Sequence, residues 1–130
     1  MRGQTQSLLI LGAGGHAKVL LEVLFQEQHN IIGVSSPHLE RGADYLGLVV
    51  IGSDKAVFEY DTQEVLLING IGSLPGVKHR WNLSVTMREK GYRFGSVIHP
   101  NSTIATDVVL AEGVQLMAGT IIQPGCKIGQ

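Results

Sequence analysis

Residues 98–130 divide into blocks of six: IHPNST, IATDVV, LAEGVQ, LMAGTI, IQPGCK and the start of a sixth, IGQ. Every block opens on a branched aliphatic: Ile98, Ile104, Leu110, Leu116, Ile122 and Ile128. Four residues after the first five stand Ser102, Val108, Val114, Thr120 and Cys126, all small or β-branched. Glycine recurs at Gly113, Gly119 and Gly125. Neither an α-helix nor a flat strand has a six-residue period. A parallel β-helix does, because each block forms one flat side and turns its aliphatic into the coil. Three sides close one coil, so residues 98–115 predict one coil and residues 116–130 most of a second. A solenoid normally stacks roughly three or more repeats and caps its open edge. The expectation is therefore that the chain is a piece of a longer protein.

Upstream of Ile98 the texture changes. Ser7-Leu-Leu-Ile-Leu11 is a short apolar run bounded by glycine, the pattern of a strand buried on both faces of a parallel sheet. Ala17, Leu20, Leu21 and Leu24 then fall at i, i+3, i+4 and i+7, one face of an amphipathic helix. Residues 31–34, 48–51, 65–68 and 93–98 read as four further strands. A second helix is predicted from Pro75 to Lys90, with Val77, Trp81 and Val85 as its apolar face and Leu83 and Met87 beside it. Strand, helix and strand in this order predict a mainly parallel α/β sheet. The fold class expected is an α/β, Rossmann-like parallel sheet over residues 1–97, followed by the first one to two coils of a β-helix over residues 98–130.

Composition narrows the function. The 130 residues include 44% hydrophobic and 16% charged residues, enough for a packed core. Ten basic against eleven acidic residues give a net charge of −1, which argues against a nucleic-acid partner. The single cysteine, Cys126, excludes an internal disulfide framework and a multi-cysteine zinc site, and no metal is expected. The apolar run at Leu8–Leu11 is far short of the roughly 20 residues that span a bilayer. No membrane partner is expected, and the reading is cytoplasmic.

The 17 glycines concentrate their meaning in two loops. Gly12-Ala-Gly14-Gly15-His16-Ala17 joins the first strand to the first helix with G-x-G-x-x-A spacing. Such glycines allow a tight turn and let a phosphate approach the backbone at a helix N-terminus, where N–H groups point outward. The positive end of that helix favours a neutral His16 ring able to hydrogen-bond a ligand. Asn69-Gly70-Ile71-Gly72-Ser73 follows the fourth strand. If the strand order is 3-2-1-4-5, the two loops face each other across one crevice at the point where the order reverses. Arg80 then lies within reach of an anionic ligand. A dinucleotide site would want an acid at the end of the second strand, where this chain has Ser35 and Ser36. That disfavours NAD. His99 precedes Pro100 and reads as a corner, while His29, His38 and His79 read as solvated.

The ordered set Leu9–Val19, Asn69–Ser73 with Arg80, Gly91–Phe94, Ile98–Ser102 and the hexads resembles the sugar O-/N-acyltransferases of the sialic acid O-acetyltransferase and bacillosamine N-acetyltransferase type. The resemblance implies an N-terminal Rossmann-like domain that binds a nucleotide sugar, often UDP-linked. It implies a C-terminal left-handed β-helix that binds acetyl-CoA and forms a homotrimer. It also implies a histidine, oriented by an adjacent acid, as general base on the sugar's amine or hydroxyl. Carried over by position, Gly14, Gly15 and His16 match the sugar-nucleotide loop, and Gly12 of the same turn is expected to bind substrate with them. Asn69, Gly70, Ile71 and Gly72 match the second loop, and Arg80 the basic residue after it. Ser35 and Ser36 stand where family members often carry acids. None of the five histidines matches the catalytic one, so no catalytic residue is expected here, and the acetyl-CoA site is expected to lie in further coils. The expected function is the nucleotide-sugar-binding part of an acetyl-CoA-dependent acyltransferase of surface-glycan synthesis, inactive alone. The rivals are a non-enzymatic nucleotide-binding module and an NAD-dependent oxidoreductase fragment.

Overall fold

The computed structural model describes residues 6–72, 78–100, 102–105, 109–110, 112–116, 121–122 and 127–128. The N-terminal part alternates strand and helix: β1 (Ser7–Leu11), α1 (Gly15–Gln26), β2 (Ile31–Ser35), β3 (Asp44–Tyr45), β4 (Leu48–Gly52), a 3₁₀ segment (Asp54–Glu59), β5 (Val65–Asn69), α2 (His79–Glu89) and β6 (Arg93–Phe94). One sheet joins the strands in the order β3-β4-β2-β1-β5-β6. All neighbours are parallel except the β3/β4 hairpin. Setting aside that edge hairpin, the order 3-2-1-4-5 expected from the sequence is realised. The arrangement is Rossmann-like.

Two apolar layers hold the sheet. Successive side chains of a strand point to opposite faces. Accordingly Leu8 and Ile10 pack with Leu20, Leu21 and Leu24 of α1, whereas Leu9 and Leu11 pack with Val57 of the 3₁₀ segment and Met87 of α2. Ala17, Leu20, Leu21 and Leu24 are all fully buried, as their spacing predicts. Each such leucine stabilises the fold by about 2 kcal/mol relative to exposure.

α2 departs from expectation. It runs over His79–Glu89, and its buried residues are Leu83, Ser84 and Met87. Trp81 is 60% exposed and Val85 37% exposed, so the face assigned to them is the outer one. The helix turns Leu83 and Met87 inward because Ser84 and Arg80 are held there by polar bonds to Asn69 and its loop, which fixes its rotation. Pro75 and Val77 lie outside the described residues.

The expected fifth strand, residues 93–98, is two strands. β6 closes the sheet edge beside β5, and β7 (Val97–Ile98) pairs elsewhere. The chain then makes β8 (Thr103–Ile104), β9 (Val109–Leu110), β10 (Gln115–Leu116), β11 (Ile121–Ile122) and β12 (Lys127–Ile128). These form three parallel ladders, β7/β10, β8/β11 and β9/β12. Ile98 faces Leu116, Ile104 faces Ile122 and Leu110 faces Ile128. The offset is eighteen residues each time, the register that three six-residue sides require. Val108, Thr120 and Cys126 lie outside the described residues.

The ladders are attached to the sheet. Val97 is fully buried in the α1-side layer. The Glu112 carboxylate accepts the Phe94 backbone N–H at 2.9 Å and both Nε and Nη2 of Arg93 at 3.3 and 3.2 Å. The N–H bond first, and Arg93 after it, hold the Glu112 carboxyl below its ordinary value.

Two outcomes follow for stability. Met87→Ala should cost about 2–5 kcal/mol, whereas Val85→Ala on the outer face should cost under about 1 kcal/mol, both read from urea unfolding midpoints. Comparable costs would reverse the helix orientation. Because the Glu112 pKa is depressed in the folded state, its contribution is present above the ordinary carboxylate range and is lost as pH falls through the folded value. Glu112→Gln should therefore flatten the acid limb of the stability–pH curve; an unchanged limb would show that the carboxylate contributes nothing there.

Candidate ligand-binding cleft

The carboxyl ends of three central strands lie in one row. Leu11 is registered with Ser35 on one side and with Asn69 on the other. The next residues, Gly12, Ser36 and Gly70, therefore leave the sheet along the same edge. α1 covers one face of the sheet and α2 the other, so the strand order reverses at this edge, the usual location of a ligand crevice. A cleft of ≈ 490 Å³ opens there, lined by both glycine loops, by residues 36–39, and by Asp54 and His79.

The first loop is shaped by close approach. Gly12 has φ +94, a conformation that favours glycine, and a Cβ there would sit 2.8 Å from Ile71 Cδ1, so that side chain would have to shift as well. Gly12 N–H donates to the Ser35 carbonyl at 2.8 Å. Gly14 caps α1 in an ordinary extended conformation, φ −105, that any residue adopts. A Cβ at Gly14 or Gly15 would meet nothing within 4 Å. Packing therefore does not demand glycine at either position. α1 has no side-chain cap and no acid in its first turn. Its first N–H groups and the positive end of its dipole are left facing the cleft.

The second loop is built by Asn69. Its Oδ1 accepts the Ile71 N–H at 3.0 Å, and its Nδ2 donates to Ser84 Oγ at 2.9 Å and to the Arg80 carbonyl at 3.2 Å. The residue is buried, and its side chain is committed within the protein. Gly70 cannot carry a side chain, because a Cβ would lie 2.7 Å from the Leu11 carbonyl oxygen. Arg80 Nη1 donates to the carbonyls of Asn69 at 3.1 Å and Ile71 at 2.7 Å. Burial pushes the Arg80 guanidinium below its ordinary value. Among the described residues no carboxylate pairs with this half-buried cation.

Of the residues singled out in the sequence, Gly12, Gly14, Gly15, His16, Ser36, Gly70, Ile71 and Gly72 line the cleft. Ser35, Asn69 and Arg80 stand behind it: Ser35 is fully buried with its hydroxyl 3.4 Å from Asp54 Oδ1, and the other two support the second loop. His38 and His79, expected to be simply solvated, are exposed residues of the cleft wall. Two further residues have no signal in either glycine motif. Tyr45 in the hairpin donates its hydroxyl to the Gly14 carbonyl at 2.9 Å. Gln115 in β10 bonds His16 Nε2 at 2.8 Å through Oε1 and the Asn69 carbonyl at 2.9 Å through Nε2. A tyrosine beside a hairpin turn and a glutamine beside an inward leucine are ordinary surface patterns, so neither could be found without the contacts. No helix among the described residues is long and apolar enough to cross a membrane.

The chain's relatives can now be set beside this geometry. The PglD N-terminal domain model matches residues 7–82. A variant of perosamine N-acetyltransferase from Caulobacter crescentus, solved with CoA and GDP-perosamine, superposes at a TM-score of 0.83 with 30% identity, over 98% of this chain and 59% of that one. The acetyltransferase domain of PglB from Neisseria gonorrhoeae FA1090, solved with acetyl coenzyme A, superposes at 0.80 with 20% identity, over 98% of this chain and 60% of that one; this is a likeness of fold. The chain thus spans about three fifths of the length of these structures. Among curated proteins none matches it by sequence. The domain match covers more than half of the chain and agrees with the superpositions: this chain belongs to the PglD N-terminal domain family.

Proposed function

We propose that the chain binds a nucleotide-linked amino sugar in the cleft between its two glycine loops, as the substrate-holding part of an acetyl-CoA-dependent sugar acyltransferase. The observation that carries this reading is the open space at Gly14 and Gly15 before an uncapped helix N-terminus. The diphosphate would lie against the first N–H groups of α1, where Gly14 and Gly15 let it approach. Arg80 lends positive potential through the second loop while remaining bonded to its carbonyls. Residues 36–39 and Asp54 form the opposite wall, the natural seat of the nucleoside. The perosamine N-acetyltransferase solved with GDP-perosamine supports this choice of ligand class.

In this reading residues 1–97 are the nucleotide-sugar-binding domain, and the three ladders of residues 98–130 are the opening coils of a left-handed β-helix through which a homotrimer forms. No residue of this chain is assigned to the acetyl transfer. A general base on the sugar amine and the seat of acetyl-CoA are not assigned to residues 1–97. The chain's share of the reaction is to bind and orient: holding the nucleotide end fixes where the sugar projects, and such positioning supplies several kcal/mol of a bimolecular barrier, up to about 7–11.

Calorimetric titration of the 130-residue chain with GDP-perosamine, a UDP-linked amino sugar and NAD tests the reading. Saturable binding of a sugar nucleotide without NAD is the expected result, and binding of NAD alone would replace the proposal with a dinucleotide site. Gly14→Val should weaken the sugar nucleotide by at least about tenfold, or ~1.4 kcal/mol. Its cost in stability should stay near 1 kcal/mol, because only a cap preference is lost. Unchanged affinity in that variant would remove the first loop from the site.

A further inference from the structure

Gln115 is the point where the coil region touches both glycine loops. Its Nε2 donates to the Asn69 carbonyl at 2.9 Å, and its Oε1 lies 2.8 Å from His16 Nε2. The orientation of this amide is fixed by chemistry. A carbonyl oxygen only accepts, so the NH₂ end must face Asn69, whose oxygen also takes Nη1 of Arg80. The amide oxygen then faces His16, and it too only accepts. His16 Nε2 must carry a proton. The neutral ring is therefore the Nε2–H tautomer, and its Nδ1 is a bare lone pair. Among the described residues Nδ1 has no partner, and His16 is half-buried in the wall of the cleft.

We propose that Gln115 is a positioning residue that locks His16 in the Nε2–H tautomer, so that the His16 ring accepts a hydrogen bond from the sugar and not from the diphosphate. This rests on the nucleotide-sugar reading above. Diphosphate oxygens in a sugar nucleotide carry no proton at neutral pH, and two facing acceptors repel. A hydroxyl or amine of the sugar supplies the donor that Nδ1 needs. The two halves of the ligand are thereby divided: backbone N–H groups of the first loop take the phosphates, and the imidazole of the same loop selects the sugar. A one-residue substitution in the coil should change recognition of the sugar and leave that of the nucleotide intact.

The test combines a long-range proton–nitrogen NMR spectrum of the ¹⁵N-labelled 130-residue chain at near-neutral pH with calorimetry using GDP-perosamine and GDP. The ring of His16 should show a proton on Nε2 alone. Gln115→Met should lose that tautomer and weaken GDP-perosamine about tenfold while GDP affinity stays within about twofold. Gln115→Glu keeps an acceptor opposite His16 and should keep a proton on Nε2 while losing the donor to the Asn69 carbonyl; the backbone amide spectrum of each variant separates loss of the hydrogen bond from loss of fold. A proton on Nδ1 in the unsubstituted chain, or equal weakening of GDP and GDP-perosamine in Gln115→Met, overturns the proposal. If the unsubstituted chain binds neither nucleotide, the sugar-nucleotide reading fails and the sugar contact fails with it, while the spectrum still decides the tautomer.

Discussion

The cleft depends on one strand being bonded on both sides. β1 is laddered to β2 and to β5, and Leu9, Ile10 and Leu11 expose nothing to solvent. That double pairing sets Ser35, Leu11 and Asn69 level with one another. Both glycine loops and residues 36–39 of the cleft start from this row. Parallel strands need crossovers, and a crossover helix begins at the carboxyl edge of the strand before it. The first turn of α1 is thus delivered to the edge where the second loop emerges. Two glycines do the rest: Gly12 takes a positive φ, and Gly70 stands where any side chain would strike the Leu11 carbonyl.

The charge logic of the site follows from its small number of ionised groups. The chain is nearly neutral overall, with ten basic and eleven acidic residues. Attraction for an anion must then come from oriented dipoles and from single well-placed cations, not from a broad positive field. Arg80 is such a cation, half-desolvated and held by two carbonyls. Its position also explains why α2 turns a serine inward: Ser84 Oγ donates to the Arg80 carbonyl and accepts from Asn69, so polar residues take a stripe that an amphipathic helix would give to aliphatics.

Much of this was legible in the sequence where one physical pattern acts alone. A fully apolar run, a 3.6-residue period and a six-residue period gave β1, α1 and the ladder register without interference. The second helix was legible but its rotation was not, because Trp81 and Val85 satisfy the period while Asn69 decides the rotation from outside the helix. The hairpin was missed because its turn, Leu46-Gly47, puts a leucine at φ 53, a conformation that leucine does not advertise. The glycine loops were found because tight turns and open approach both demand glycine. Gln115 was invisible because hexad periodicity says that it looks outward from the coil, and nothing in a period says what lies outside.

The contact of Gln115 with both loops also bears on how such chains can be recombined. A cut at Ile98, where the two textures meet, would look safe to anyone transplanting this sheet onto another protein's coils. It would nonetheless leave behind the side chain that bridges His16 and Asn69, and the carboxylate of Glu112 that fastens Phe94. The transferable unit is the sheet together with the first full turn of coil. A hybrid divided between the two textures would inherit the glycine loops without the residue that orients one of them.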